Sequence, residues 1–139
     1  AVIAVNGEKL NWRRYTWVML NKPAGYLSAT EDGRGATVLD LLSQDLQRQG
    51  LFPVGRLDKD TEGLLLLTNE GGLAHELLSP KKHVDKEYYV RVAGRLSAAD
   101  SAAFAEGLHL DDGLICQPAE LRILTAGEES EAYVILREG

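Results

Sequence analysis

The chain has 139 residues, 45% of them hydrophobic, and a formal net charge of −6, which suits one sizeable core and gives no reason for a second complete domain. No stretch reaches the roughly 18 apolar residues of a membrane span, the opening Ala1-Val2-Ile3-Ala4-Val5-Asn6-Gly7 lacks a basic region followed by a long apolar one, and the single Cys116 excludes an internal disulfide. A soluble, cytoplasmic protein is expected, and net acidity argues at first sight against a nucleic-acid partner; but residues 1–105 hold 13 basic and 13 acidic side chains while 106–139 hold 2 and 8, so the body is neutral and can present a basic face.

In chain order, residues 1–10 end in a Val5-Asn6-Gly7-Glu8 turn signal, and Arg13, Arg14, Tyr15 and Thr16 lead into the strand-length apolar run Trp17-Val18-Met19-Leu20. Asn21 to Tyr26 is a Pro- and Gly-punctuated turn, and Glu31 to Gly35 a polar, glycine-rich loop. Thr37 followed by Asp40 matches a capping box, and Leu39, Leu42 and Leu46 predict one helical stripe that Gly50 stops. Phe52 to Asn69 places five charged groups on a turn that feeds the unbroken apolar run Leu64 to Leu67. That run is too short for a helix and reads as a strand buried on both faces, with Asp58 at the mouth of the core. A carboxylate there has to be paired, hydrogen-bonded or catalytic, because burying an uncompensated charge is costly.

Asn69 to Gly72 then turns into a short helix carrying Leu73, Leu77 and Leu78 on one side and closed by Ser79-Pro80. Glu87 to Ala93 reads as a strand with Tyr88, Val90 and Val92 on one face and Tyr89, Arg91 and Ala93 on the other. Ser97 and Asp100 cap a second helix ending at Gly107, and residues 114–124 and 131–137 read as two further strands. The order is mixed α and β, without an internal repeat or a linker between independent cores.

Among residues able to carry chemistry, His75, His83, His109 and Cys116 contain no close-spaced pair of the kind metal sites use, so no metal is expected. Gly33-Arg34-Gly35 and Gly71-Gly72 do not complete a nucleotide-binding fingerprint. Asp58, Asp60 and Glu62 form the one dense acidic cluster beside a buried strand; two carboxylates could divide acid and base roles as in a glycoside hydrolase, or all three could simply be solvated in a turn. Arg56 lies two residues before Asp58, within pairing reach on an extended chain.

Gly55-Arg56-Leu57-Asp58-Lys59-Asp60-Thr61-Glu62-Gly63 with Leu64 to Asn69 resembles the signature of the ribosomal pseudouridine synthases of the RsuA-like branch. Met19 to Tyr26, Leu78 to His83 and Lys86 to Val90 support the resemblance independently and in family order, and Cys116 to Leu121 leans toward the subgroup acting on small-subunit (16S) ribosomal RNA. The resemblance implies an α+β pseudouridine-synthase fold with a mixed, mostly antiparallel sheet and flanking helices. It also implies a monomeric isomerase that needs no cofactor, with ribosomal RNA or an assembling small subunit as partner; a non-catalytic RNA-binding module and a large-subunit (23S) enzyme of the same branch are the alternatives. By the same resemblance Asp58 is the essential carboxylate, as nucleophile or by assisting a glycal intermediate, and Tyr88 packs on the uracil and helps move the C5 proton. Arg56 fills the gap left by the extruded nucleotide, and Lys22, Lys81 and Lys82 are candidates for phosphate contacts. Residues 1–12 then read as the linker after an RNA-binding S4 domain, and 13–139 as a catalytic domain. Its family-typical basic motif, including the cation opposite Asp58, does not occur before Leu136-Arg137-Glu138-Gly139, so this stretch alone is expected to be inactive.

Overall fold

The structure is a computed structural model that describes residues 2–10, 12–82 and 84–138; His83, one of the metal-ligand candidates, and Gly139 lie outside the described residues. Where the sequence suggests a single core, the chain divides into two compact units, Ala1–Leu77 and Leu78–Gly139. The division falls at the last turn of a helix, where no Pro- or Gly-rich linker marks it.

The first unit opens with a hairpin of β1 (Ile3–Val5) and β2 (Glu8–Leu10). Asn6 and Gly7 take φ of 52° and 83°, the two consecutive left-handed positions that a tight two-residue hairpin demands and that Asn-Gly supplies most cheaply. A three-stranded antiparallel sheet follows, ordered β3 (Trp17–Lys22), β5 (Gly63–Thr68), β4 (Phe52–Val54). Successive residues of a strand point to opposite faces, so Val18, Leu20 and Lys22 share a face with their partners Leu67, Leu65 and Gly63. Leu65, Leu67, Val38 and Leu51 form the core on that face, with Leu39, Leu42, Leu46 and Leu57 packed around it.

Two expectations change here. Leu64 is 64% exposed and its neighbour on the same face, Met19, 78%, so β5 is buried on one face and not on both. An apolar run without alternation does not reveal that one face stays open. The predicted helix over Leu39 to Leu46 is two pieces, a 3-10 turn at Val38–Leu41 and α1 (Gln44–Gln47). Asp40 accepts the Thr37 backbone N–H at 2.8 Å as the capping box requires. Leu42 then turns extended and Ser43 recaps the chain by accepting the Leu46 N–H, the competition that serine side chains offer to helix interiors. The leucine stripe still reaches the core.

In α2 (Gly71–Leu78) the residue buried is Ala74, while Leu73 of the predicted stripe is exposed. Ser79-Pro80 ends the helix and Pro80–Lys82 forms one 3-10 turn.

The second unit is an antiparallel sheet ordered β6 (Lys86–Ala93), β8 (Glu129–Leu136), β7 (Glu120–Thr125), joined by α3 (Ala98–Glu106). The alternation of β6 is as predicted: Tyr88, Val90 and Val92 are half-buried, Tyr89, Arg91 and Ala93 exposed. Their partners Val134, Ala132 and Ser130 share the inner face, and Ala132 and Ser130 are fully buried. The Ser130 hydroxyl donates to Gly94 O at 2.6 Å and accepts the Leu96 N–H at 3.1 Å, so this buried polar group is satisfied and stitches two turns together. The strand expected over 114–124 begins only at Glu120; Pro118, which has no N–H to offer a ladder, falls in the preceding extended segment.

Gly107 closes α3 at φ 96°, and a Cβ there would stand 2.5 Å from the carbonyl oxygen of Cys116. Gly113, at φ 86°, has nothing within 4 Å of the same position. Gly107→Ala is therefore expected to lose about 2–3 kcal/mol in urea unfolding and Gly113→Ala only about 1 kcal/mol, the difference isolating the steric clash from the backbone strain they share.

Candidate active site

The acidic turn between β4 and β5 is bracketed by Gly55 at φ 84° and Gly63 at φ 126°, positions where a side chain would be strained. Between them Asp58–Thr61 form a turn closed by Thr61 N–H to Asp58 O at 3.0 Å. Leu57 packs its side chain on the core, so the residue before Asp58 is fixed by apolar burial.

The main chain around Asp58 is held from three sides. The Ser28 hydroxyl, on an 8% exposed residue, donates to Leu57 O at 2.9 Å and accepts the Leu57 N–H at 3.1 Å, satisfying both backbone groups of that residue. Gly25 donates its N–H to Lys59 O at 2.8 Å. The Lys22 ammonium donates to Lys59 O and Thr61 O, both at 2.8 Å, and to Pro23 O at 3.0 Å.

Lys22 is 1% exposed, and an ammonium has three protons, all of which go to these carbonyls. This corrects its expected role: its charge is spent inside the protein, on the backbone that carries Asp58, and it has no proton left for a phosphate. The phosphate role comes from the resemblance, and nothing in the sequence marks Lys22 as one of the few lysines that are fully buried. Sequence reasoning missed Ser28 entirely; a serine in a polar stretch carries no signal that its hydroxyl serves a loop 29 residues away.

Asp58 itself is exposed, as are Asp60 and Glu62. Burial therefore does not compel its carboxylate to find a partner; water solvates the charge, and the rigidity lies in the backbone beneath. Arg56 is exposed too, and among the described residues the ion pairs are Arg91–Glu129, Arg122–Glu120 and Arg137–Asp85, so Arg56 and Asp58 are adjacent in the chain without being paired.

Thus Asp58, Arg56, Lys22 and Ser28 come together in the first unit. Tyr88, Lys81 and Lys82 belong to the second, Tyr88 on the half-buried face of β6 and both lysines exposed in the 3-10 turn after α2. On the exposed face of β6, Tyr89 packs edge-on against Tyr133 with ring centroids 5.9 Å apart, so the two adjacent tyrosines serve opposite sides of the sheet. Among the described residues no three His, Cys, Asp or Glu side chains are grouped as metal ligands.

Residues 16–134 match the family model described as RNA pseudouridylate synthase. The chain is 46% identical over 99% of its length to an uncharacterized RNA pseudouridine synthase, YtzG, of Bacillus subtilis, covering 58% of that protein. It is 35% identical over 96% of its length to the ribosomal large subunit pseudouridine synthase B of the same organism, covering 54% of it. A solved structure described as a pseudouridylate synthase superposes with a TM-score of 0.80 at 35% identity, over 94% of this chain and 55% of the other. The chain thus spans little more than half the length of these three proteins, and its α+β architecture of antiparallel sheets with a few helices is that of the solved pseudouridylate synthase.

Proposed function

The chain belongs to the RNA pseudouridylate synthase family, and we propose that the protein isomerises a specific uridine of ribosomal RNA, in the small subunit, to pseudouridine. The observation that carries the proposal is the clamped turn: Ser28, Gly25 and Lys22 fix the backbone from Leu57 to Thr61, so that Asp58 presents a solvated, charged carboxylate from a rigid platform. Placing a reacting group within a fraction of an ångström of its target is what such a scaffold contributes to catalysis.

The reaction breaks the N1–C1′ bond of the nucleoside, turns the uracil and joins C5 to C1′; C5 loses a proton and N1 gains one, so composition is unchanged and no cofactor is required. Asp58 is the reacting carboxylate, either adding to C1′ or removing the 2′ proton on the way to a glycal. Tyr88 contacts the uracil ring and assists transfer of the C5 proton. A target base in a helix is inaccessible until extruded, and Arg56, exposed two residues before Asp58, occupies the space it leaves. Lys81 and Lys82, exposed side by side, hold phosphates.

The small-subunit assignment rests on Cys116-Gln117-Pro118-Ala119-Glu120-Leu121. A large-subunit target is the second reading, favoured by the relative named for that substrate. Chemical mapping of pseudouridine in ribosomal RNA from cells with and without the gene separates them: one small-subunit position is expected to revert to uridine. Loss of a large-subunit position instead selects the second reading, and unchanged RNA in both subunits overturns the ribosomal assignment.

A further inference from the structure

Between Glu8 and Glu31 the chain has no acidic residue, yet it carries Lys9, Arg13, Arg14 and Lys22, in a protein of net charge −6. Lys22 is buried, which leaves Lys9, Arg13 and Arg14 exposed. Interleaved with the arginines are Trp12, 62% exposed, and Tyr15, 40% exposed. Aromatic surface of that size left in water, alternating with cations that form no ion pair among the described residues, points to a ligand with both π faces and negative charge.

The segment is held in place. Trp12 donates its backbone N–H to Leu10 O at 2.9 Å, at the end of β2. At the other end Thr16 donates its N–H to the Asn69 side chain at 2.9 Å, its carbonyl accepts from the Thr68 hydroxyl at 2.8 Å, and its own hydroxyl meets the Gln49 amide oxygen. Arg14 lies over the Tyr15 ring at 5.2 Å, which orients its guanidinium before any ligand arrives. Trp12, Arg13, Thr16, Gln49 and Asn69 line a notch of about 350 Å³: an aromatic wall, a cation and a floor of two carboxamides. The nearby carboxylate of Glu70 is engaged by the Trp17 indole N–H at 2.8 Å.

We propose that this notch is a second RNA-contact site, in which Trp12 stacks on one unpaired base of a single-stranded segment while Arg13 and Arg14 take the flanking phosphates. The proposal deepens the RNA-modifying reading above and rests on it for the identity of the ligand. Stacking on an indole suits single strands, whose bases expose their faces, and not a duplex, whose bases are already stacked. Asn69 is committed within the protein, accepting the Thr16 N–H and donating to Gln49 O at 3.0 Å, so the Gln49 amide nitrogen is the group that can hydrogen-bond a base edge, and residues tied to two strand ends lose little freedom on binding.

Trp12 and Trp17 are the two tryptophans of the sequence, so in a Trp17→Phe background the indole emission reports Trp12 alone. Titration of the protein with a single-stranded oligouridylate is expected to quench that emission. Trp12→Ala should weaken binding about tenfold and Trp12→Phe should restore most of it. The double variant Arg13→Gln, Arg14→Gln should lower the slope of log affinity against log salt by about 1.4, the release expected for two phosphates on a single strand. Unchanged affinity in Trp12→Ala overturns the proposal, as does equal quenching by base-free polyphosphate or by a duplex. The activity assay, run on the full-length protein because this stretch alone is expected to be inactive, keeps the two readings apart. Wild-type conversion of uridine with binding indifferent to Trp12 rejects this site and leaves the enzyme; Trp12-dependent binding without any conversion rejects the enzyme and leaves the site.

Discussion

In the full-length protein, Asp58→Asn is expected to reduce pseudouridine formation by about a thousandfold or more while leaving the fold and most of the RNA affinity in place. The amide keeps the shape of the carboxylate but can neither add to C1′ nor accept a proton, so every route through Asp58 is closed, and loss of a covalent or proton-accepting group is worth several orders of magnitude in rate. Stability should change by no more than about 0.5 kcal/mol, since the side chain is exposed and the bonds that hold the turn use the main chain of Leu57, Asp58, Lys59 and Thr61. The measurements are release of the C5 hydrogen from labelled RNA, a denaturant titration and filter binding. Asp60→Asn and Glu62→Gln should each cost less than about threefold in rate, because neither is asked to share the chemistry. Retained activity in Asp58→Asn removes it from the mechanism, and release of free uracil by the wild-type protein points instead to a hydrolase built on two carboxylates.

What the sequence makes legible divides along physical lines. Features written in local chemistry are readable: the Asn6-Gly7 hairpin turn, the Asp40 carboxylate on the Thr37 amide and the Asp100 carboxylate on the Ser97 amide at 2.7 Å, and the two faces of β6. Each depends on residues a few positions apart. Features that depend on distant packing are not. Nothing within Leu64 to Leu67 says that Leu64 is left exposed while Leu65 and Leu67 are buried, because the period of a strand fixes which residues share a face but not which face is covered. The break at Ser43 was hidden behind a leucine stripe that satisfies a helix and also satisfies two short pieces packed on the same core. The site shows the same division. Asp58 and Arg56 were legible as a motif, whereas the support beneath them comes from residues around 29 and 37 positions away, where lysine and serine are ordinarily taken as solvent-facing.

The most consequential of those distant contacts is Lys22. Lys22→Met keeps much of the side chain's length and volume but removes the ammonium, leaving Pro23 O and Thr61 O without their donor and Lys59 O with the Gly25 N–H alone, in a place water scarcely reaches. Hydrogen bonds to a charged group contribute about 1.5–3 kcal/mol each. Against that stands the cost of keeping an ammonium at 1% exposure, with no carboxylate paired to it among the described residues. The balance is expected to be a loss of about 3–5 kcal/mol, since the substitution strands acceptors that the native backbone cannot turn toward solvent. Lys22→Arg should not rescue it, because a planar fork cannot send its protons to three carbonyls arranged for a tetrahedral ammonium. As Lys22 acts through the loop and not on the RNA, its loss should lower kcat well before it raises KM under conditions where the variant is still folded. It should also speed exchange of the Gly25 amide, which bonds the same Lys59 carbonyl. If Lys22→Met instead unfolds at the wild-type denaturant midpoint with that amide still protected, the ammonium is not what holds the turn, and the rigidity under Asp58 comes from Ser28 and the packing of Leu57 alone.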